Sequence, residues 1–576
     1  MRVALVTTPP SRRSGIGDYT RHLLPHLRAH AEVDLFVPPP VDANTWPGDT
    51  ARSVLELDPA QYDQVLYQLG NELGHNFMAR MIRHIGGTVM QHDWVLFDMA
   101  LATYPGLVRG GLKGHALALR EGGFGQLATY FRNWLERRRE RNDPIELPDC
   151  ERLLGQLLAG WHAAEPAGRW IADRAVFRIP SKAVTRVEVG LGSEPGRTLE
   201  LLGPKGRVAR FECSQDARGT LLAIDHEPWD QPMCELSVSN IVVSQEQRAH
   251  GDSRRLGAFV ETVAWHDGDG RHELDLSLPA TEPIRPVDLS RDRFDLPLNR
   301  SVVDHADAFI VHSDYVGGQI RERRGAGLPM GKLPHGAARR FDAAEAPGDR
   351  TARRALRADL GLPEAWHDGF LVISFGGVQP HKRIGRVFAG LARARAQRKD
   401  IYLVLAGGWH AGEFDPPGLA RVHGVEDAVH ITGYVAEEAA WDWIASGDVS
   451  INLRGPTSGG TSGGIYQSLA FGRGVIATDA AEQAELPDDC CPKVPLGGES
   501  EVEAIGTLLV ELASNPAQHA QVEAAARRYV DEECAWDLVG ARYADFLRKF
   551  PAPRPNPRKL QAMRADLVEF FAQADD

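Results

Sequence analysis

The segment Ser374-Phe375-Gly376-Gly377-Val378-Gln379-Pro380-His381-Lys382-Arg383 sets a glycine turn and two adjacent cations directly behind an apolar run. Glycines let a backbone approach a ligand closely, and fixed cations neutralise an anion such as a diphosphate leaving group. The phosphate-loop spacing G-x-x-x-x-G-K-[ST] is absent, which argues against a nucleotide triphosphatase. A second segment, Gly455-Pro456-Thr457-Ser458-Gly459-Gly460-Thr461-Ser462-Gly463-Gly464, lies between the apolar runs Val449–Leu453 and Ile465–Phe471. Amides and hydroxyls placed there make an anion-binding nest at a helix start. Ser14-Gly15-Ile16-Gly17-Asp18-Tyr19 opens another helix, where a tight turn is the alternative to an anion site. Gln91-His92-Asp93-Trp94 puts an imidazole and a carboxylate at a strand end, against the alternative of a structural histidine.

These groups sit where an alternating βα pattern would deliver them. Val3–Thr7, Val33–Val37, Gln64–Tyr67 and Thr88–Met90 are short apolar runs with room for a crossover helix between them. Leu371–Phe375, Ile401–Ala406, Ala428–Thr432, Val449–Leu453 and Gly474–Thr478 repeat the pattern, with helical candidates Ile384–Arg393 and Ala439–Ala445 between. Such alternation predicts two parallel α/β domains of Rossmann type, with ligands in the cleft at the carboxyl ends of the strands.

Between them the texture changes. Val187/Val189/Leu191, Leu199/Leu201, Leu221/Ile224, Leu236/Val238 and Leu274/Leu276/Leu278 alternate with period two, which predicts an antiparallel sandwich inserted in the amino-terminal half, because Asp307–His312 returns to the parallel pattern. A helical lead-in is expected over about Leu117 to Ala164, carrying the basic run Arg137–Asn142, a solvated face or a contact for anionic lipid or glycan. The expected organisation is residues 1–165, the insertion over 166–290, a return over 291–345, a carboxy-terminal domain over 346–550 and, over 551–576, a proline-rich linker with a helix whose Leu560, Met563, Leu567 and Phe570 or Phe571 share one face. In the insertion Trp229 and Trp265 could stack on sugar rings or pack a core.

Composition narrows the partners. A net charge of −13 over 576 residues argues against a protein that grips nucleic acid over its whole surface, while leaving room for a local basic pocket. Six cysteines, Cys150, Cys213, Cys234, Cys490, Cys491 and Cys534, contain no C-x-x-C pair and no zinc spacing, so a reducing, cytoplasmic setting is expected. The apolar run after Met1 is too short for a signal-peptide core, and no stretch reaches the roughly 18 apolar residues of a membrane helix.

In order and spacing these motifs resemble the retaining glycosyltransferases of the GT-B fold, in particular the large family 4 that uses sugar nucleotides. Gly15-Ile16-Gly17-Asp18-Tyr19, Tyr67-Gln68-Leu69-Gly70-Asn71 with His75, His92-Asp93, Val311-His312-Ser313, Leu333-Pro334-His335-Gly336, Phe375 to Arg383, Thr432-Gly433-Tyr434, Pro456 to Gly472 and Thr478-Asp479 with Glu485-Leu486-Pro487 carry the likeness, which covers both α/β halves and not the insertion. The insertion, with Asp252-Ser253-Arg254-Arg255-Leu256-Gly257, is similar to small β-domains attached to bacterial polysaccharide-assembly enzymes. The resemblance implies that Gly15, Ile16 and Gly17 face the diphosphate of a nucleotide-sugar and that His92 lies beside the transferred sugar. It implies that Lys382, helped by Arg383 and the Gly376-Gly377 turn, neutralises the leaving phosphates. Gly433 and Tyr434 would meet the base, and Gly460, Thr461, Ser462 and Gly463 would bind phosphate and sugar hydroxyls. It also implies a saccharide or lipid-linked acceptor, bacterial surface polysaccharide or lipopolysaccharide assembly, and no cofactor or metal.

One departure stands out. The family carries two glutamates at E-x7-E spacing around the glycine loop; here the second falls at Gln467 and the first at Gly459 or Gly460, while Gly377 stands where an arginine is frequent. An altered donor, a carboxylate supplied by Asp18 or Asp93, and a glycan-binding or scaffolding protein without turnover all stay open, as does an epimerase or hydrolase on the same fold.

Overall fold

The computed structural model describes residues 1–142, 156–239, 256–280 and 292–572, apart from 13, 43, 105, 110, 166, 194, 204–207, 214–218, 279, 342–345, 410–414 and 552–555. Two compact units emerge: one joins Met1–Arg132, Arg291–Trp409 and Pro416–Asp576, and the other is built within Asn133–Ser290.

In chain order the first unit begins with β1 (Arg2–Val6), β2 (Glu32–Val37), β3 (Ala51–Ser53), β4 (Gln64–Leu69) and β5 (Thr88–Gln91). The inserted unit follows with β6 (Leu157–Glu165), β7 (Gly168–Arg178), β8 (Val184–Gly192), β9 (Thr198–Leu202), β10 (Val208–Glu212), β11 (Thr220–Trp229), β12 (Met233–Ser239), β13 (Phe259–Asp267) and β14 (Gly270–Glu273). The chain then returns through β15 (Ala308–Val311) and β16 (Met330–Lys332) to the first sheet, whose order is β16-β15-β5-β4-β1-β2-β3 and whose pairs are all parallel. β17 (Phe370–Phe375), β18 (Ile401–Ala406), β19 (Val429–Ile431), β20 (Val449–Asn452), β21 (Val475–Thr478) and β22 (Lys493–Val494) form a second parallel sheet in the order β19-β18-β17-β20-β21-β22. This is the GT-B arrangement, two Rossmann-like sheets flanking a cleft, with an antiparallel β insertion in the amino-terminal half. Strands such as β4, β15 and β20 are buried along their whole length, which is why they read as continuous apolar runs rather than alternating ones.

Among the described residues the inserted unit holds nine antiparallel strands in one sheet, β10-β9-β12-β7-β13-β8-β11 with β6 and β14 beside it, and its edge strands β10 and β11 approach one another so that the sheet curls over its own core. Trp265 joins that core and stacks on His272, whereas Trp229 is exposed at the end of β11. The motif residues 252–255, and Cys150, lie outside the described residues; the other five cysteines are buried and free.

Two expectations are corrected. The helical lead-in is real over Gly111–Asn142, with a break at Gly123, but Leu157–Glu165 is strand rather than helix, and the inserted unit accordingly starts before residue 166. Gly160 takes φ +84 there, and a Cβ at that position would collide with the Arg174 carbonyl, so this glycine lets β6 bulge against β7. The carboxy-terminal domain also does not run to 550. After the π-helical turn Val530–Cys534, the helix Trp536–Lys549 crosses to the first sheet, where Trp536, Val539 and Tyr543 share a core with Leu5, Tyr19 and Leu23. The helix Pro557–Ala572 follows it, burying Met563 and Leu567 against Phe77, Met81 and Ile82.

Candidate functional site

His92 and Asp93 follow β5 directly. The His92 amide donates to the Leu69 carbonyl, and its Nε2–H donates to Gln68 Oε1 at 2.8 Å, which leaves Nδ1 as the bare nitrogen. Its ring lies edge-on to Tyr19 at 4.7 Å and 5.2 Å from His312. Burial, with His312 and His335 as neighbours, pushes His92 well below the usual imidazole range. His312 and His335 are pushed down to about 3 and about 4, chiefly by burial, and each donates its Nδ1–H to a carbonyl, Leu333 and Gly336 respectively. The three imidazoles are therefore neutral at pH 7, and His92 offers hydrogen-bonding capacity without charge.

Asp93 turns toward the glycine loop after β20. Its Oδ2 accepts from the Asn71 amide at 2.9 Å and its Oδ1 from Ser458 Oγ at 3.1 Å, while the Ser458 carbonyl accepts from the Val95 amide at 2.9 Å. A Cβ at Gly460 would collide with Asp93 Oδ1, and one at Gly459, whose φ is +73, would stand 2.7 Å from Trp94 Cβ. The Asp93 carboxylate thus occupies the space beside Gly460, and a side chain at that position would displace it. Glu482, in the turn after β21, supplies a second: its Oε1 accepts from Thr457 Oγ1 at 2.7 Å and its Oε2 has no partner among the described residues. Burial raises the pKa of both carboxyls. Asp18, the other acid considered from sequence, faces a separate cavity of about 180 Å³ with Gly15, Arg340, Gly463, Gly464 and Gln467, and the Gln467 Oε1 is buried without a partner among the described residues.

Lys382 ends the single turn Pro380–Lys382 that follows the glycine bend after β17. Its Nζ donates to the Phe375 carbonyl at 3.0 Å, and Gly376, at φ +96, leaves room for it: a Cβ there would stand 2.9 Å from Nζ. Burial first, and the Arg454 charge second, lower its pKa to about 7. A Cβ at Gly377 would meet no atom closer than 3.7 Å, so the bend is open on that side.

Arg383 is already held in an ion pair. In the left-handed region at φ +58, it grips the buried Glu501 with a two-pronged ion pair and also donates to the Gly455 carbonyl at 3.4 Å. The second cation is Arg454, the residue that sequence reasoning passed over. It lies just beyond β20, its Nε is buried without a partner among the described residues, and its charge acts on Lys382, Asp93 and Glu482 together. Its position immediately past a strand end was the available signal.

The remaining expected residues fall into two groups. Ser462 stands at the start of the helix Gly463–Ala470 with no side-chain cap, its carbonyl accepts from the Ile465 amide at 3.0 Å, and Gly463 faces His335 Nε2 at 3.9 Å from a Cβ position. Thr461 and Ser462 line a larger cavity of about 410 Å³. The Gly15–Gly17 turn differs. Ser14 Oγ accepts from the Gly17 amide at 3.0 Å, and the Glu72 carboxylate accepts from Ser14 Oγ at 2.5 Å and the Ile16 amide at 3.4 Å, so part of this helix start is already capped. Gly17 is needed for packing, since a Cβ would stand 2.8 Å from the Thr8 carbonyl oxygen, and Ile16 is buried against Gly70. Gly433, at φ +74, turns the chain after β19 so that Tyr434 is exposed beside Gly408. Among the described residues, no group of three or more His, Cys, Asp or Glu side chains is disposed to hold a metal ion, and no helix is long and apolar enough to cross a membrane.

Over 259 residues the chain is 24% identical to the GDP-mannose-dependent monoacylated alpha-(1-6)-phosphatidylinositol monomannoside mannosyltransferase of Corynebacterium glutamicum, a match that takes in 44% of this chain and 65% of that protein. Among solved structures it is similar to WaaG, a glycosyltransferase involved in lipopolysaccharide biosynthesis, with a TM-score of 0.41, 13% identity and coverage of 94% of this chain and 98% of that one. Anabaena HepE in complex with UDP and glucose gives a TM-score of 0.37 and 16% identity over 43% of this chain and 65% of that one. Residues 369–514, which contain Lys382, Arg454, the glycine loop and Glu482, match the family model described as Glycosyl transferases group 1.

Proposed function

We propose that this chain moves a sugar from a nucleotide-sugar to a saccharide or lipid-linked acceptor with retention of anomeric configuration, in bacterial surface polysaccharide or lipopolysaccharide assembly. The observation that carries the reading is Lys382, a buried lysine with a pKa near 7 whose side chain donates to one backbone carbonyl, next to an arginine with an unpartnered Nε. A cation held in that condition gains most from an anion that enters beside it. In the reaction the bond from the sugar C1 to the phosphate oxygen breaks and its electron pair leaves with the nucleoside diphosphate. Lys382, Arg454 and the amides at the start of Gly463–Ala470 meet the growing phosphate charge. The acceptor hydroxyl forms the new bond to C1 on the same face and its proton passes to the departing phosphate oxygen. Neutral His92 and the Asp93 carboxylate bind hydroxyls of the transferred sugar. The similarity to a GDP-mannose-dependent enzyme supports a nucleotide-sugar as the first choice of donor. The inserted β unit would contribute to glycan recognition, and the protein would act in the cytoplasm at the inner face of the membrane.

The test is calorimetry and turnover with GDP-mannose, UDP-glucose and related nucleotide-sugars. Wild type should bind at least one of them, and Lys382→Ala should lose about 10²-fold in affinity or rate. Failure of every nucleotide-sugar to bind would overturn the assignment. Binding without transfer or hydrolysis would favour the glycan-binding alternative, for which the specific observation is that positions 459, 460 and 467 carry no acid.

A further inference from the structure

We infer that the cavity of about 410 Å³ beside the start of the helix Gly463–Ala470 is a second ligand site, that it takes a neutral polyhydroxylated molecule, and that Glu482 is its hydroxyl-binding carboxylate. Resting on the proposed transfer, this places the saccharide acceptor there.

Three of the residues lining the cavity keep a buried polar atom without a partner among the described residues: His312 Nε2, Glu482 Oε2 and Gln483 Nε2. Unpaired buried groups are costly, and native proteins rarely gather them without use. Each of the three is fixed by its other polar atom. His312 donates Nδ1–H to the Leu333 carbonyl, Glu482 accepts from Thr457 Oγ1, and Gln483 Oε1 accepts from the Thr478 amide. The free atoms are therefore an imidazole acceptor, a carboxylate oxygen and an amide donor, held in place beforehand. Ser313, Thr461 and Ser462 add hydroxyls to the same walls.

Charge decides what such a site accepts. The two cations lining it are already paired, Lys332 with Asp314 and Glu485, and Arg542 with Glu533, so an anionic ligand would meet Glu482 with no unpaired lining cation to offset it. A neutral polyol supplies both donors and acceptors and suits the mixture. The cavity also communicates with the reaction site. Thr457, which holds Glu482, precedes Ser458, which holds Asp93, so two successive loop residues link the carboxylate of the cavity to that of the cleft.

Methyl glycosides of mannose, glucose, galactose and rhamnose, titrated by saturation-transfer NMR, test this. At least one should bind wild type. Glu482→Gln, which keeps the shape and an oxygen for Thr457 but exchanges a charged acceptor for a neutral amide, should weaken it about tenfold. Ser462→Ala, whose hydroxyl makes no cap hydrogen bond, should weaken the same glycoside about threefold. No glycoside binding, or equal binding by wild type and both variants, overturns the inference. Glycoside binding sensitive to Glu482 in a protein that binds no nucleotide-sugar would leave this site standing and refute the transferase reading alone.

Discussion

Lys382 titrates near pH 7 in the folded protein, against 10.5 for a lysine in water, because burial and then Arg454 disfavour its charge. A nucleotide-sugar pyrophosphate keeps its two charges throughout the neutral range, so the pH dependence of its binding should report the lysine. If only the charged lysine binds, apparent affinity should be level below about pH 6 and fall tenfold per pH unit above 7, a loss of roughly 10²-fold by pH 9. Binding should take up about half a proton per site at pH 7 and nearly a whole one at pH 8 to 9, measurable by calorimetry in buffers of different ionisation enthalpy. Lys382→Arg, always charged, should flatten the profile. The same shift acts on stability with a defined sign. Folding penalises the charged lysine, so destabilisation is complete below pH 7 and disappears as pH rises toward 10.5. At about 1.4 kcal/mol per pH unit the full penalty is on the order of 5 kcal/mol, and Lys382→Met should recover part of it near pH 6 and little near pH 10. A wild-type affinity that does not change between pH 6 and 9, with no proton uptake, would refute the placement of Lys382 against the phosphates.

Two further outcomes follow from the loop and from Arg383. Gly460→Ala should cost about 2 kcal/mol or more by forcing its methyl against Asp93 Oδ1, and Asp93→Ala should relieve much of that cost; a double-mutant cycle in chemical denaturation with no coupling would contradict the contact. Arg383→Ala should destabilise by about 3 kcal/mol because it leaves the buried Glu501 with only the Gly497 amide and Arg386 at 4.0 Å, yet the molecules that remain folded should bind nucleotide-sugar with wild-type affinity, which separates it from Lys382→Ala in calorimetry.

What the sequence shows and what it hides divide along a physical line. Buried parallel strands have little choice of composition, so β18 is legible as Ile401–Ala406 to the residue, and the ends of such strands locate His92, Lys382 and the glycine loop in advance. The short edge strands β3, β16 and β22 lack that continuous apolar signature and pass unseen. Leu157–Glu165 misleads because its leucines and alanines suit a helix, and only pairing with β7, eased by Gly160, makes it strand. At the site the decisive facts are long-range. Arg383 reads as a helper cation until Glu501, 118 residues away, claims it. The loop reads as having lost an acid until Asp93, 365 residues from Ser458, is seen to occupy the space that Gly460 leaves open.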